Sequence, residues 1–315
     1  MNSRLVLYIS VLLACAAVAV AAVRLKPAAT AKPPAAYASL PPQQSSYLGV
    51  YEGGAPPSYQ PIQQFAETAG KQPNLVGYFS GWAQPFDTPF ADVLRQHGII
   101  PFVQIDPTFA SVGGIAAGDY DVYLRRYAAS VRSFGQPVVI GFGHEMNTPS
   151  YSWGYTHTRA ATFVAAWQHI VTLFRAAGAR NVTWLWTINA DRPGTGHVQD
   201  WWPGQRYVNW VGIDGYYYRP SDTFKSIFLT TMKQVRTFTS DSILLSETAV
   251  GPQAHPYNKI INLFTSMTRY HALGLVWFDK SQDSGIYHQD WRLEDNYFAA
   301  LAFRLEVSEL NLVRP

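Results

Sequence analysis

A (β/α)8 barrel is the fold class this sequence predicts, and three observations predict it. Eight short runs rich in β-branched and aromatic residues alternate with helix-compatible stretches from residue 47 onward. From the first run at Tyr47 to the eighth at Gly274 the spacing is roughly 32 residues per step, the length of one βα unit with its crossover helix. Eight such units in about 270 residues match the size of one closed barrel domain. A doubly wound open sheet is the competing fold. It calls for a G-x-G-x-x-G turn after the first strand, and "YEGGAPPSY" is too proline-rich to open a helix there.

The strands expected in order are "YLGVYEG" at 47, "NLVGYFSGW" at 74, "IIPFVQIDP" at 99, "PVVIGFGHE" at 137, "VTWLWTIN" at 182, "NWVGIDGYYY" at 209, "ILLSETAVG" at 243 and "GLVWFDK" at 274. Between them "PFADVLRQHG", "DYDVYLRRYAASVRSFG", "RAATFVAAWQHIVTLFRAAGA" and "NKIINLFTSMTRYHALG" carry apolar residues at three- and four-residue spacing and glycine near the end, as amphipathic helices do.

Residues 47–310 are thus read as one catalytic-sized domain, preceded by two segments of other character. Residues 1–25 hold the apolar run "LVLYISVLLACAAVAVAAV" after Arg4, and residues 26–46 form a Pro/Ala-rich linker. Export is expected, secreted or extracytoplasmic. Three readings of the run fit: a signal peptide cleaved near Ala19 or Ala21, a retained membrane anchor, or a lipoprotein signal at "LLAC". The one cysteine, Cys15, lies inside it, so the body has no thiol to oxidise.

The formal charge of +3 owes four cations, Arg4, Arg24, Lys26 and Lys32, to those leading segments. Without them 20 basic residues face 21 acidic ones, which leaves no phosphate-binding surface and argues against nucleic acid. Ten tryptophans and nineteen tyrosines are a different signal, because flat rings suit sugars as well as cores.

In a barrel, reactive groups sit at the C-terminal ends of the strands. The polar and aromatic strand ends here are Trp82, Asp106, His144 with Glu145, Asn189, Asp214 with Tyr216, Glu247, and Trp277 with Asp279. Glu145 and Glu247 each follow an apolar strand and lie three βα units apart, aimed across one mouth. Two carboxyl groups are the minimum apparatus for glycosidic cleavage, one donating a proton and the other meeting the anomeric carbon. A lone glutamate in such a place more often pairs with an arginine or caps a helix; two, with aromatic strand ends between them, reverse that preference.

"GHEMN" at 143–147, "IDGY" at 213–216, "SETA" at 246–249 and "VWF" at 276–278 resemble glycoside hydrolase family 26 over residues 47 to about 300. Its best-known members are β-mannanases, within a clan of retaining (β/α)8 glycosidases. The resemblance implies Glu145 as acid/base, Glu247 as nucleophile, His144 bonded to a sugar hydroxyl or the carboxylate, Tyr216 holding the nucleophile, and Trp277 flooring the cleavage subsite. Retention calls for carboxyl groups about 5 to 5.5 Å apart. "TPSYSWG" after "HEMN" departs from the family by lacking a glycine, with Trp153 placed as a sugar platform.

The activity this implies is endo-cleavage of a β-linked polysaccharide, β-1,4-mannan first, with β-1,3-1,4-glucan or xylan as alternatives. Asp106, Trp82 and Asn189 are further candidates for substrate contact, whereas Trp184 and Trp186 share one strand face and read as core. Asp214 reads as a rim residue satisfied by hydrogen bonds. No cofactor is implied and a monomer is expected. A zinc site of the HExxH kind fails because Thr148 stands where the second histidine belongs, and no G-x-S-x-G elbow supports a serine hydrolase. A non-catalytic, cell-surface carbohydrate-binding protein on the same barrel is the rival class.

Overall fold

The computed structural model describes residues 39–190, 196–282 and 289–314. The apolar run at 5–23, Cys15 and most of the linker lie outside the described residues. Eight parallel strands close into a barrel in sequence order: β1 (Tyr47–Glu52), β2 (Leu75–Gly81), β3 (Ile100–Asp106), β4 (Val138–Phe142), β5 (Val182–Asn189), β6 (Trp210–Asp214), β7 (Ser242–Thr248) and β8 (Gly274–Asp279). The ring is closed by β8 on β1, paired from Tyr47↔Gly274 to Glu52↔Asp279.

Helices α1 (Gln60–Ala69), α2 (Thr88–Gln96), α3 (Val112–Ala117), α4 (Asp121–Phe134), α5 (Ala160–Ala176), α6 (Thr230–Val235), α7 (Pro256–Arg269) and α8 (Tyr297–Ser308) cover the outside. Their ends are written in the chain. Proline stands in the first turn of α1, α2 and α7, Asp87 and Asn296 cap α2 and α8 through their side chains, and glycine in the left-handed region stops α1, α3 and α4. The β5 to β6 step departs from the expected alternation: among the described residues it carries only a 3-10 turn, Val198–Trp201. Trp201 and Trp202 pack there, against Phe163 and Trp186 respectively.

Two apolar layers follow from the period of two along each strand. Tyr47, Tyr51, Leu75, Ile100, Phe102, Val139, Leu185, Trp210, Leu244 and Val276 fill the barrel interior. Leu48, Val50, Val103, Ile140, Trp184, Trp186, Ile213, Leu245 and Trp277 face outward and pack on the helices. Trp184 and Trp186 are core, on the face opposite Leu185, as their alternation predicts.

One irregularity matters for the site. On β7, Gly212 pairs with Leu244 but Asp214 pairs with Glu247, and Leu245 pairs with Leu275 but Thr248 with Trp277. Three β7 residues therefore answer two on each neighbour, which is a β-bulge at Ser246. Strict alternation from Leu244 would point Ser246 inward and Glu247 out; the bulge turns both inward.

Candidate active site

The turn after β4 delivers two of the candidate residues. Gly143 and Glu145 both have left-handed backbones, φ +54° and +52°. Gly143 tolerates this without a side chain, and a Cβ there would press into Phe163 at 2.9 Å and Trp153 at 3.2 Å. For Glu145 the conformation is strained, a cost of about 1–3 kcal/mol that the surroundings must hold in place. They do so through its amide, which donates to Thr187 O at 3.0 Å, and its carbonyl, which accepts from Thr148 N and Oγ1, both at 2.9 Å.

The Glu145 carboxylate is held by the end of β5. Asn189 Nδ2 donates to Oε1 at 2.5 Å. Asn189 is fixed in turn by the buried Asn147, which donates Nδ2 to the Asn189 carbonyl and accepts the Asn189 amide on Oδ1, both at 2.9 Å. Asn147 belongs to the "GHEMN" stretch, yet nothing in the sequence assigns it this job.

His144 is buried between two partners, Asp106 Oδ1 at 2.9 Å from Nδ1 and Tyr151 Oη at 3.0 Å from Nε2. Burial alone would depress its pKa; the charge and hydrogen bond of Asp106, with the charges of Glu247 and Glu145, outweigh that and lift it to about 9. At neutral pH both ring nitrogens therefore donate, one to the Asp106 carboxylate and one to the Tyr151 oxygen. Of the two contacts expected of it, a sugar hydroxyl or a catalytic carboxylate, neither nitrogen makes the second: the carboxylate it meets is Asp106. Asp106 acts on this imidazolium.

Glu247 is 6% exposed. Tyr216 Oη donates to its Oε2 at 2.7 Å, and Oε1 has no hydrogen-bond partner among the described residues. Burial raises its pKa and Glu145 adds to the rise, while His144, the Tyr216 hydroxyl and Lys280 oppose it; the outcome is about 7. The Tyr216 bond expected to hold the nucleophile is present, but burial outweighs its effect on the charge. Beside it on β6 lies Asp214, fully buried, whose Oδ1 accepts Ser246 Oγ at 2.5 Å. Burial, then the charges of Glu247 and Glu145, push its pKa well above the carboxylate range, which disfavours its charged form. It ends β6 with a hydrogen bond to satisfy it, as expected, but is buried rather than exposed on the rim. Asn189, Asp214 and Glu247 occupy paired positions on β5, β6 and β7, which places the support of Glu145 and the Glu247 carboxylate in one row of the mouth.

Three aromatic candidates stand elsewhere than expected. Trp277 is 1% exposed, packs edge-on against Phe303 of α8 at 5.0 Å and donates Nε1 to the Trp291 carbonyl. It faces the helices because Val276 faces the interior, and the next inward ring on β8 is Phe278. Trp153 is 2% exposed, donates Nε1 to the His144 carbonyl at 2.7 Å and lies under Tyr151, stacked at 4.6 Å. The ring offered to the mouth is the half-buried Tyr151, which strand-end reading passes over because it sits in a loop. Trp82 packs on Tyr120, Tyr123 and Phe142, on the helix side of β4.

A closed parallel barrel with two glutamates and half-buried rings at its C-terminal mouth defines the class of barrel glycoside hydrolases. The model of Glycosyl hydrolase family 26 matches residues 123–297, more than half of the chain, and the chain belongs to that family. Endoglucanase H of Acetivibrio thermocellus is 27% identical over 267 residues, 80% of this chain and 29% of that protein, so the chain spans under a third of that relative's length. Mannan endo-1,4-beta-mannosidase A and B of Caldalkalibacillus mannanilyticus is 30% identical over 84 residues, 24% of this chain and 16% of that protein. Among solved structures, the catalytic domain of the Bacillus sp. JAMB-750 GH26 endo-beta-1,4-mannanase has the same fold, with a TM-score of 0.64 at 15% identity over 85% of this chain and 87% of that one.

Proposed function

We propose that the protein is a retaining endo-acting glycoside hydrolase for a β-linked polysaccharide. The observation that carries this is the contrast between the two glutamates. Glu145 is gripped by Asn189 on one oxygen, a fixed acid positioned to protonate the leaving oxygen. Glu247 is gripped by Tyr216 on Oε2 while Oε1 is buried and unpartnered among the described residues, a carboxylate oxygen with its lone pairs uncommitted to any protein donor.

In the first step Glu247 Oε1 forms an ester bond to the anomeric carbon as the glycosidic C–O bond breaks, and Glu145 gives its proton to the departing oxygen. In the second, Glu145 takes a proton from water, whose oxygen displaces Glu247. Three positive or donor groups, the His144 imidazolium, the Tyr216 hydroxyl and Lys280, favour Glu247 as an anion while it attacks and again when it leaves.

For the sugar, β-1,4-mannan is supported by the 30% identity with the mannan endo-1,4-beta-mannosidase. A second reading, a β-glucan, is favoured by the longer match to Endoglucanase H. The apolar run at 5–23 supports action outside the cytoplasm. Reducing-sugar release from mannan, mixed-linkage glucan and xylan, with wild type against Glu247→Ala, tests the reading. Turnover of one polymer that Glu247→Ala abolishes is expected; binding without turnover in the wild type would instead make this a carbohydrate-binding protein.

A further inference from the structure

Lys280, just past the end of β8, has no part in the two steps beyond its charge. Its Nζ lies 5.4 Å from the ring centroid of Phe278, 5.5 Å from Phe79 and 5.9 Å from Tyr51. These rings belong to β8, β2 and β1 and make one surface: Tyr51 stacks on Phe79 at 5.1 Å and meets Phe278 at 6.1 Å. That surface runs into the site on both sides. Phe278 packs edge-on against Tyr216 at 5.9 Å, and Phe79 lies 5.2 Å from His144.

Among the described residues no carboxylate lies within ion-pair distance of Nζ, and no hydrogen bond uses it. Aromatic faces attract an ammonium group but do not satisfy its three N–H donors, so a half-buried lysine held this way has donors to spend. Its place in the ring of strands says on what. Glu145 on β4 marks the leaving oxygen, and Glu247 on β7 marks the anomeric carbon. On those roles the sugar that becomes attached to Glu247 extends from β7 toward β8 and β1, the side opposite β4; Phe278 and Lys280 stand there, and Phe79 joins the same surface through its stack on Tyr51. Asp106 and Asp279 join the two glutamates at the same end of the barrel, against His144 and Lys280 as cations, a balance that disfavours an anionic sugar.

We propose that Lys280 binds substrate on the glycone side of the cleavage point, donating hydrogen bonds to hydroxyl groups of a neutral sugar seated against Phe79 and Phe278. The inference rests on the roles given above to Glu145 and Glu247, and the test separates the two.

The probes are 2,4-dinitrophenyl β-glycosides of mannobiose, cellobiose and xylobiose, which fill only the glycone side and need no acid, together with the matching polysaccharides. Lys280→Met is expected to lower kcat/KM about 10- to 100-fold on the accepted aryl glycoside and on its polysaccharide alike, mainly through KM, with an unchanged unfolding midpoint. Lys280→Arg restores donors and part of the activity. Lys280→Gln reads the same contact should the Met variant not fold. Glu145→Ala keeps kcat/KM on the aryl glycoside, with kcat lowered by the slowed second step, and loses the polysaccharide; equal loss of kcat/KM on both would overturn the carboxylate roles instead. Activity within twofold of wild type in Lys280→Met, a loss confined to the polysaccharide, or faster cleavage of a C6-oxidised polymer than of its neutral parent would overturn the inference. An enzyme inactive on all three aryl glycosides would overturn both.

Discussion

Asn189, at the end of β5, donates its side-chain amide to Glu145 Oε1 at 2.5 Å, and Asn147 fixes Asn189 through both of its own amide atoms. A glutamate on a strained left-handed backbone thus has its carboxylate pinned from the next strand. Removing the pin leaves the acid free to rotate. Asn189→Ala is expected to lower kcat/KM on polysaccharide about 10- to 100-fold, the worth of one hydrogen bond to a charged group, while kcat/KM on an activated aryl glycoside that needs no acid falls far less. Equal losses on both substrates would mean that Asn189 does not act through Glu145.

Glu247 has a pKa raised to about 7 by burial, with Tyr216 among the groups holding it down. The nucleophile works as the anion, so kcat/KM falls as pH drops through about 7, tenfold per unit well below it. Tyr216→Phe removes a donor to the charged form, and the break moves to higher pH with a lower plateau. A wild-type break near 4.5 would show that Glu247 is not buried as described.

Trp277 and Phe278 separate stability from binding. Trp277→Ala empties a space between β8 and Phe303, at a cost of about 3–5 kcal/mol, with KM little changed in protein that remains folded. Phe278→Ala should show the reverse, a raised KM with a smaller fall in the unfolding midpoint. Thermal melts and steady-state kinetics on the same samples check the contrast.

Glu52 and Asp279 are register partners across the β1–β8 seam, two buried carboxyl groups whose pKa values are both raised. Burial, then the Asp279 charge, lifts Glu52 to about 10, far above its unfolded value of 4.5. The folded state holds a proton that the unfolded state has lost, so this group's contribution to stability shrinks as pH rises from 4.5 through 10. Glu52→Gln keeps a donor toward Asp279 with no proton to lose. Its stability is expected to fall less steeply over that range than the wild type's, measured by urea unfolding at a series of pH values.

The barrel was legible because buried parallel strands need continuous apolar runs, and "PVVIGF" and "VTWLWTI" can be little else. Glu145 and Glu247 were legible because each stands directly behind such a run. The direction of several side chains was not. The bulge at Ser246 that turns Glu247 inward leaves no mark in "ILLSETAVG", and strict alternation would have aimed this glutamate at the helices. The resemblance puts Trp277 in the mouth; its phase relative to Val276 decides otherwise and hands the position to Phe278. Trp153 and Tyr151 share a loop with no period to read, so which ring lies beneath the other depends on the His144 carbonyl that Trp153 reaches. Lys280 gave no signal, because its neighbours Tyr51 and Phe79 are more than 200 residues away in the chain.

Double displacement through Glu247 is the central proposal, and trapping the intermediate tests it most directly. A 2-deoxy-2-fluoro glycoside of the accepted sugar with a dinitrophenyl leaving group slows release of the ester, so peptide mapping by mass spectrometry reads which residue carries the sugar. The proposed mechanism predicts one label per chain, on Glu247, with proton NMR finding the first product in the same anomeric configuration as the substrate. A label on any other residue, or an inverted product, would contradict it.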